Sequence, residues 1–362
     1  MDRCWYVIIW GVFLAACATP DYAPPPARPD HIAHEEKMAL QSAVSTALER
    51  RARVYDLSWP ILRENVALCS KTRPALGLVL ADEARYAKLA GGVREQDVRY
   101  LNIAEGGQVM HVYKNSPAFK AGLRMGDKIL SVNGEPLTQL SKINKAVQTS
   151  LKKEGPVRLG IEAKTKKTQM TITPVPICDM AVKISTSQQI NAHAGTGDIV
   201  LYTGLIRNLN DAALQFVIAH EAAHIALRHP RKYMRNFTVT GAFVTGPLLY
   251  ISATLGDVAL RAVGQDPDIS LKDRVVRAVA FWSEGFEAEA DYVGLYFFAR
   301  AGGNLQNMRQ AFDLFAREAP RGIYIRSTHP LIPERLGAMT ATIDEIEAKK
   351  ARKQDLLPER SR

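Results

Sequence analysis

Asn210-Asp-Ala-Ala-Leu-Gln-Phe-Val-Ile-Ala-His220-Glu221-Ala-Ala-His224-Ile-Ala-Leu-Arg228-His229-Pro230 is the stretch around which this chain is organised. Asn210 or Asp211 supplies an N-cap, an apolar run without interior Gly or Pro follows, and Arg228, His229 and Pro230 close the last turn, so the stretch predicts one helix. Within it His220-Glu221-Ala222-Ala223-His224 is a complete HExxH. Residues four apart share a helix face, so both imidazoles can grip one metal ion with Glu221 beside them. Such a donor set suits Zn2+, and a carboxylate next to the ion can act as general base on an attacking water; the expected reaction is hydrolysis of an amide. The alternative is an ordinary buried helix, in which two imidazoles and a carboxylate without metal would each need a partner to offset desolvation.

A third ligand is sought downstream, where Phe281-Trp-Ser-Glu284-Gly-Phe-Glu287-Ala-Glu289-Ala-Asp291-Tyr-Val-Gly-Leu-Tyr-Phe-Phe298 is again helical in period. Glu287 and Asp291 are four apart on one face, so one can bind metal while the other holds a ligating histidine through its second N–H. Glu289 lies about 200° round the helix from Glu287, away from that face. Glu284 shares the face but has no Asp at the same offset.

With 362 residues, 47% hydrophobic and 23% charged, the chain has the composition of folded protein and room for two or three domains. The net charge of +10 is spread along the sequence, with modest clusters at Lys164–Lys167 and Lys349–Lys353, and reads as solvated faces. No nucleic-acid partner is expected, and an anionic membrane surface fits the basic residues better.

The four cysteines are Cys4, Cys17, Cys69 and Cys178. Arg3 precedes an uncharged, mostly apolar run from Cys4 to Ala16, too short for a bilayer span and suited to a signal-peptide core. Residues 1–16 are thus expected to be a leader. It ends Leu14-Ala15-Ala16-Cys17, which resembles a bacterial lipobox and implies that Cys17 becomes a lipidated first residue; a plain cleaved signal is the alternative. Lipidation would hold the protein on a membrane without crossing it. Ala18 after the cysteine, rather than Asp, resembles lipoproteins sent to the outer membrane, so the expected location is the periplasmic side of that membrane. Residues 17–30 form a proline-rich tether of roughly 30 Å reach. An amphipathic helix is expected over His34–Tyr55, within an N-terminal helical part of residues 31–68.

Between Cys69 and Cys178 the texture changes to short strands: Gln108–Tyr113, Val157–Ile161 and Met170–Pro174. Ser116-Pro117-Ala118, Ala121-Gly122-Leu123, Gly126-Asp127 and Val132-Asn133-Gly134 resemble a bacterial PDZ domain of the kind attached to HtrA proteases. Ser116-Pro117 opens a short helix and Asn133-Gly134 makes a tight hairpin turn. Such domains add an extended peptide as a strand and cap its terminal carboxylate with backbone N–H groups. The resemblance implies C-terminal peptides as partners, with the carboxylate loop at Ala75-Leu76-Gly77-Leu78 or at Tyr100–Ile103. Cys69 and Cys178 bracket residues 69–178, and the two ends of a PDZ domain lie close together, so an oxidising compartment would favour a disulfide there; two separate thiols are the alternative.

Beyond this module Ala181–Ile184 alternates like a strand, and Tyr202–Leu205 is a candidate edge strand on which Tyr202, Thr203 and Gly204 would align a substrate backbone. The uncharged stretch 236–256 is interrupted by Gly241, Gly246 and Pro247 and is expected to be a bent buried hairpin over the cleft rather than a span.

HEAAH followed by Glu287-Ala-Glu-Ala-Asp291 resembles the gluzincin peptidase family that contains HtpX, the CAAX prenyl endopeptidase and BepA. Asn191-Ala192, Thr203-Gly204-Leu205, Ser327-Thr328-His329-Pro330 and Glu334-Arg335 match family positions too. The resemblance covers about residues 180–340 and implies one Zn2+ held by His220, His224 and Glu287, with Glu221 as general base and Asp291 behind the ligands. His329 it implies near the metal, as oxyanion stabiliser or latch. His111, His193 and His229 are left as structural. The expected fold is α+β: a mainly helical metallopeptidase domain with a small sheet over residues 179–345, an inserted PDZ domain, and a basic tail at 346–362. The expected function is an endopeptidase acting on unfolded or mislocalised envelope proteins; the rival is a non-proteolytic chaperone or assembly factor on the same scaffold.

Overall fold

The structure, a computed structural model, describes residues 25–103, 106–153, 155–232, 284–318 and 333–360. Cys17, His329, the leader and the 236–256 stretch lie outside the described residues. The fold is α+β, built from two bodies strung on one long helix.

That helix, α1 (Pro29–Glu64), runs well past the expected His34–Tyr55. Pro29 in its first turn lacks only an N–H that no helical partner would use, and Asp30 suits the positive end of the helix dipole. Its C-terminal half buries Val54, Tyr55, Trp59, Ile61 and Leu62. Burying such side chains stabilises by about 1.5–3 kcal/mol each, which sets this half of the helix against the rest of the molecule.

The β-rich body follows. β1 (Thr72–Ala75) pairs antiparallel with β8 (Val175–Cys178), with Thr72 opposite Cys178, and closes its neck. A disulfide joins Cys69 to Cys178 at the same place, with Cα atoms 5.6 Å apart. Between them β2 (Leu78–Ala81), β3 (Gln108–Val112), β4 (Lys128–Val132), β6 (Val157–Ala163) and β7 (Lys166–Ile172) lie in that order in an antiparallel sheet, and the short β5 (Glu135–Pro136) pairs with β4. Asn133 and Gly134 make the β4–β5 turn with φ of 52° and 91°, as an Asn-Gly hairpin requires. Two helices, α2 (Glu83–Leu89) and α3 (Pro117–Lys120), fill connections, and α4 (Leu140–Leu151) covers the sheet with Leu140, Ile143, Val147 and Leu151 turned into the core.

The second body holds β9 (Ala181–Ser185), β10 (Ala192–Ala194) and β11 (Asp198–Tyr202), then α5 (Thr203–Asn208), α6 (Asp211–Ala226), α7 (Glu284–Arg300), α8 (Gln310–Glu318) and α9 (Pro333–Ala351). Its core joins α1, the three-stranded sheet, α6 and α7. Here the structure corrects the expected edge strand. The sheet order is β10-β11-β9, so Tyr202 ends the central strand, paired antiparallel on one side and parallel on the other. Thr203 and Gly204 open α5, where the Thr203 hydroxyl donates to the Ser185 carbonyl at 2.8 Å and Asn208 donates to the Gly204 carbonyl at 2.7 Å. With both ladders taken and all three residues buried, none of them can accept a further strand. Among the described residues the edges of this sheet are β9 and β10, and β10 packs on α6.

The α1 helix serves both bodies. Arg53 donates to the Ile206 and Leu209 carbonyls and to Asp211 at 2.6–2.7 Å, bracing the entry to α6. One turn on, Asp56 accepts from the Lys114 amide at 3.1 Å and lies 3.0 Å from His111 Nε2. Val44 and Tyr55 pack with Tyr86, Val98 and Met110 in a separate apolar seam. His111 is thus a structural contact between α1 and β3.

Candidate active site

α6 begins as its sequence dictates, with the Asn210 side chain accepting from the Ala213 amide at 2.9 Å. Its apolar residues are buried all round, which places the helix in the centre of its domain. His220, Glu221 and His224 are buried on it, and Glu287 and Asp291 are buried on α7. The two helices can approach closely because α7 carries Gly294, where an added Cβ would stand 3.0 Å from His220 Cα.

That approach brings together His220, His224 and Glu287, whose donor atoms all lie within 4.8 Å of one another. The two Nε2 atoms are 3.1 Å apart, and Glu287 lies 3.5 Å from His220 Nε2 and 3.3 Å from His224 Nε2. Tetrahedral zinc with ligands at about 2.0–2.1 Å separates its donors by about 3.3 Å, so two imidazoles and a carboxylate at these spacings fit the ion. Asp291 Oδ1 faces His220 Nδ1, the ring nitrogen turned from the cluster, at 3.1 Å.

Arg335 on α9 completes the group. Its guanidinium donates to both oxygens of Asp291 at 2.7 and 2.8 Å and lies 3.3 Å from Glu287 Oε2. Its importance was missed from sequence, where Glu334-Arg335 only matched a family pattern. The available signal was a lone arginine at the start of a helix, which says nothing about what it touches.

The electrostatics follow from burial and partners. Burial alone would lower the pKa of His220, but Asp291 and Glu287 outweigh it and raise it to about 10. Burial would raise that of Asp291, and His220 and Arg335 hold it below the ordinary range. Such a pocket favours positive charge between the carboxylates, which a metal cation supplies at higher density than a proton.

His229, expected to be structural, lies in the site's second layer. It is wholly buried, and burial together with His224 and Lys232 pushes its pKa down to about 2, so the ring is neutral. Glu289, turned from the ligand face as its helical angle predicts, reaches His229 instead. His193 sits on β10, buried against Tyr202.

In the β-rich body a cleft of about 250 Å³ is lined by residues of β2 and α4 and by Leu76 and Gly77 just before β2. Gly77 has φ of 78°, accepts from Ser116 Oγ at 3.0 Å and packs under Trp59 of α1, leaving no room for a side chain. The other candidate loop, Tyr100–Ile103, packs on α1 instead, with the Tyr100 hydroxyl donating to the Gln41 carbonyl. Leu76, Gly77 and Leu78 line the cleft together with Tyr55 and Trp59 of α1 and Ala181 and Val182 of β9.

Comparison with known proteins agrees with this architecture. Residues 168–343 match the model of peptidase family M48, and residues 108–156 match that of the PDZ domain. The chain is similar to metalloprotease LoiP of Escherichia coli (strain K12), 27% identical over 155 residues, covering 42% of this chain and 58% of that protein. It is also similar to probable protease eep of Enterococcus faecalis (strain ATCC 700802 / V583), 34% identical over 99 residues, covering 27% of this chain and 21% of that one. A third relative is serine protease HTRA1 of Xenopus laevis, 29% identical over 85 residues, covering 24% of this chain and 18% of that one. The matches span about a fifth of the length of eep and of HTRA1, and 58% of LoiP. With its two histidines on one helix, its glutamate on the next and a β-rich module before them, the chain carries a peptidase family M48 domain over residues 168–343 and a PDZ domain over residues 108–156.

Proposed function

We propose that this protein is a zinc-dependent endopeptidase that cleaves unfolded or mislocalised proteins of the bacterial envelope, with one zinc ion per chain. The observation that carries the reading is the convergence of His220, His224 and Glu287 from two helices on one point. Zinc held there would supply Lewis-acid activation of water and of an amide carbonyl. Glu221, buried beside His220 on the same helix, is the general base that takes the proton from the attacking water. Asp291 and Arg335 hold His220 and Glu287 in place from behind. The edge strand β10, packed on α6, aligns the substrate backbone in place of residues 202–204.

The PDZ cleft takes the carboxyl terminus of an extended chain on the Leu76-Gly77-Leu78 backbone, recruiting substrates or partners. Lipidation of Cys17 anchors the protein to the outer membrane, facing the periplasm. The Leu14–Cys17 sequence supports this, and the Cys69–Cys178 disulfide suits an oxidising compartment. Among the described residues no helix is long and apolar enough to cross a membrane.

The test is zinc content and cleavage of a denatured protein by the native chain and by Glu221→Gln. Both should bind about one zinc, and only the native chain should cleave, with the variant slower by about 10²–10⁴. Equal cleavage by the two would remove Glu221 from its role. Zinc binding without cleavage by either would move the chaperone reading ahead.

A further inference from the structure

After Ala226 the chain reverses through Leu227 and Arg228, whose φ of 57° is left-handed, and His229 returns against the end of its own helix. Its ring stacks on Phe286 of α7, with centroids 4.5 Å apart and planes 29° from parallel. Its Nδ1 lies 2.9 Å from Nδ1 of His224, and its Nε2 lies 3.0 Å from Oε2 of Glu289. Lys232 Nζ stands 3.7 Å from the same Glu289 oxygen.

We propose that His229 and Glu289 are positioning residues for the metal site, forming a relay that fixes the tautomer and orientation of His224. This rests on the assignment of His224 as a metal ligand, and the proton positions follow from it. With the Nε2 lone pair of His224 turned to the cation, its proton is on Nδ1 and is donated to Nδ1 of His229. That nitrogen must then be the acceptor, so the proton of neutral His229 is on Nε2 and is donated to the Glu289 carboxylate. The opposite arrangement puts the His224 proton on Nε2, where it would block the cation. A carboxylate can only accept at Glu289, so of the two arrangements it selects the one that leaves His224 ready to bind metal.

The two ligating histidines are therefore supported differently. His220 has a carboxylate, Asp291, directly behind it, itself held by Arg335. Behind His224, among the described residues, Nδ1 faces a second imidazole, that of His229, which in turn reaches the Glu289 carboxylate. A hydrogen-bonded partner behind a ligating imidazole typically changes metal affinity by about 10–100-fold.

The experiment measures the zinc dissociation constant of the full chain by chelator competition, together with the visible spectrum of the Co2+-loaded protein. His229→Phe keeps a ring on Phe286 but has no acceptor; it should weaken zinc binding by about 10–100-fold and alter the Co2+ bands. His229→Asn restores an acceptor near Nδ1 and should recover most of the affinity. On the outer end, Glu289→Leu should weaken binding, whereas Glu289→Gln, which still accepts from His229, should stay within about threefold of native. Should His229→Phe fail to fold, the Glu289 pair at its half-exposed position carries the test. Native affinity and an unchanged Co2+ spectrum in His229→Phe, or in Glu289→Leu, would overturn the relay while leaving the metal site intact. A native chain that binds no zinc would overturn both.

Discussion

Arg335 holds Asp291 by two hydrogen bonds, 2.7 and 2.8 Å, from a helix 44 residues further along the chain. Both side chains are buried, and Asp291 in turn faces His220. Removing the guanidinium would leave the Asp291 and Glu287 carboxylates together in a buried site. Arg335→Ala is expected to cost about 3–5 kcal/mol in urea denaturation of the metal-free protein and to weaken zinc binding. Arg335→Lys cannot reproduce the two-pronged contact and should recover little of either.

Gly294 sets the spacing of α6 and α7. Alanine would gain up to about 1 kcal/mol in helix propensity, but its Cβ would press on His220 Cα at 3.0 Å and on its amide nitrogen at 3.3 Å. Overpacking of this kind costs about 1–3 kcal/mol, so crowding should win. Gly294→Ala is expected to destabilise modestly, Gly294→Val more, and both to raise the zinc dissociation constant by moving Glu287 away from the histidines. Denaturation curves and metal titrations on the two variants check the order.

The disulfide closes a loop with a sequence separation of 109 residues. Loss of a crosslink over such a loop costs about 2–5 kcal/mol. The double variant Cys69→Ser, Cys178→Ser should therefore unfold at lower denaturant, and treating the native protein with reductant should shift its midpoint the same way. An unchanged midpoint in the double variant would show that the β1–β8 ladder suffices to close the neck.

Asp56 ties α1 to the PDZ domain and titrates to match. Its burial would raise its pKa, but the hydrogen bonds from His111 and from the Lys114 amide outweigh that and hold it below the ordinary carboxylate range. A carboxyl whose folded value lies below its unfolded value contributes stability that is complete above about pH 4 and is lost as pH falls through the folded value. Asp56→Asn should lower stability at pH 7 and make little difference at the acid end of that window. Parallel melts of native and variant protein at several pH values would reveal a constant offset if the pair does not contribute.

Part of the site was legible because a helix has a fixed period. His220 and His224 at four-residue spacing, and Glu287 and Asp291 at the same spacing, must share faces wherever their helices go. The Asn133-Gly134 turn was legible for a similar local reason, since few sequences adopt its left-handed pair of residues. Tyr202–Leu205 misled because a short apolar run fits a central strand, an edge strand or a helix start equally well, and only the partners on either side distinguish them. His229, one turn past the ligands, gave no sign that the chain reverses at Arg228 and brings it back under His224.

What the amino-acid sequence determined by itself was therefore local: which segments are helical, which side chains share a face, and the chemistry those side chains can perform. The tertiary structure decided what no period encodes. It brought α6 and α7 close enough at Gly294 to join three donors, set Arg335 behind Asp291, put Glu289 on the far side of His229, and left β10 rather than β11 at the edge of its sheet. These are contacts between segments far apart along the chain, and their geometry is set by how whole buried surfaces pack, to which every residue of both cores contributes.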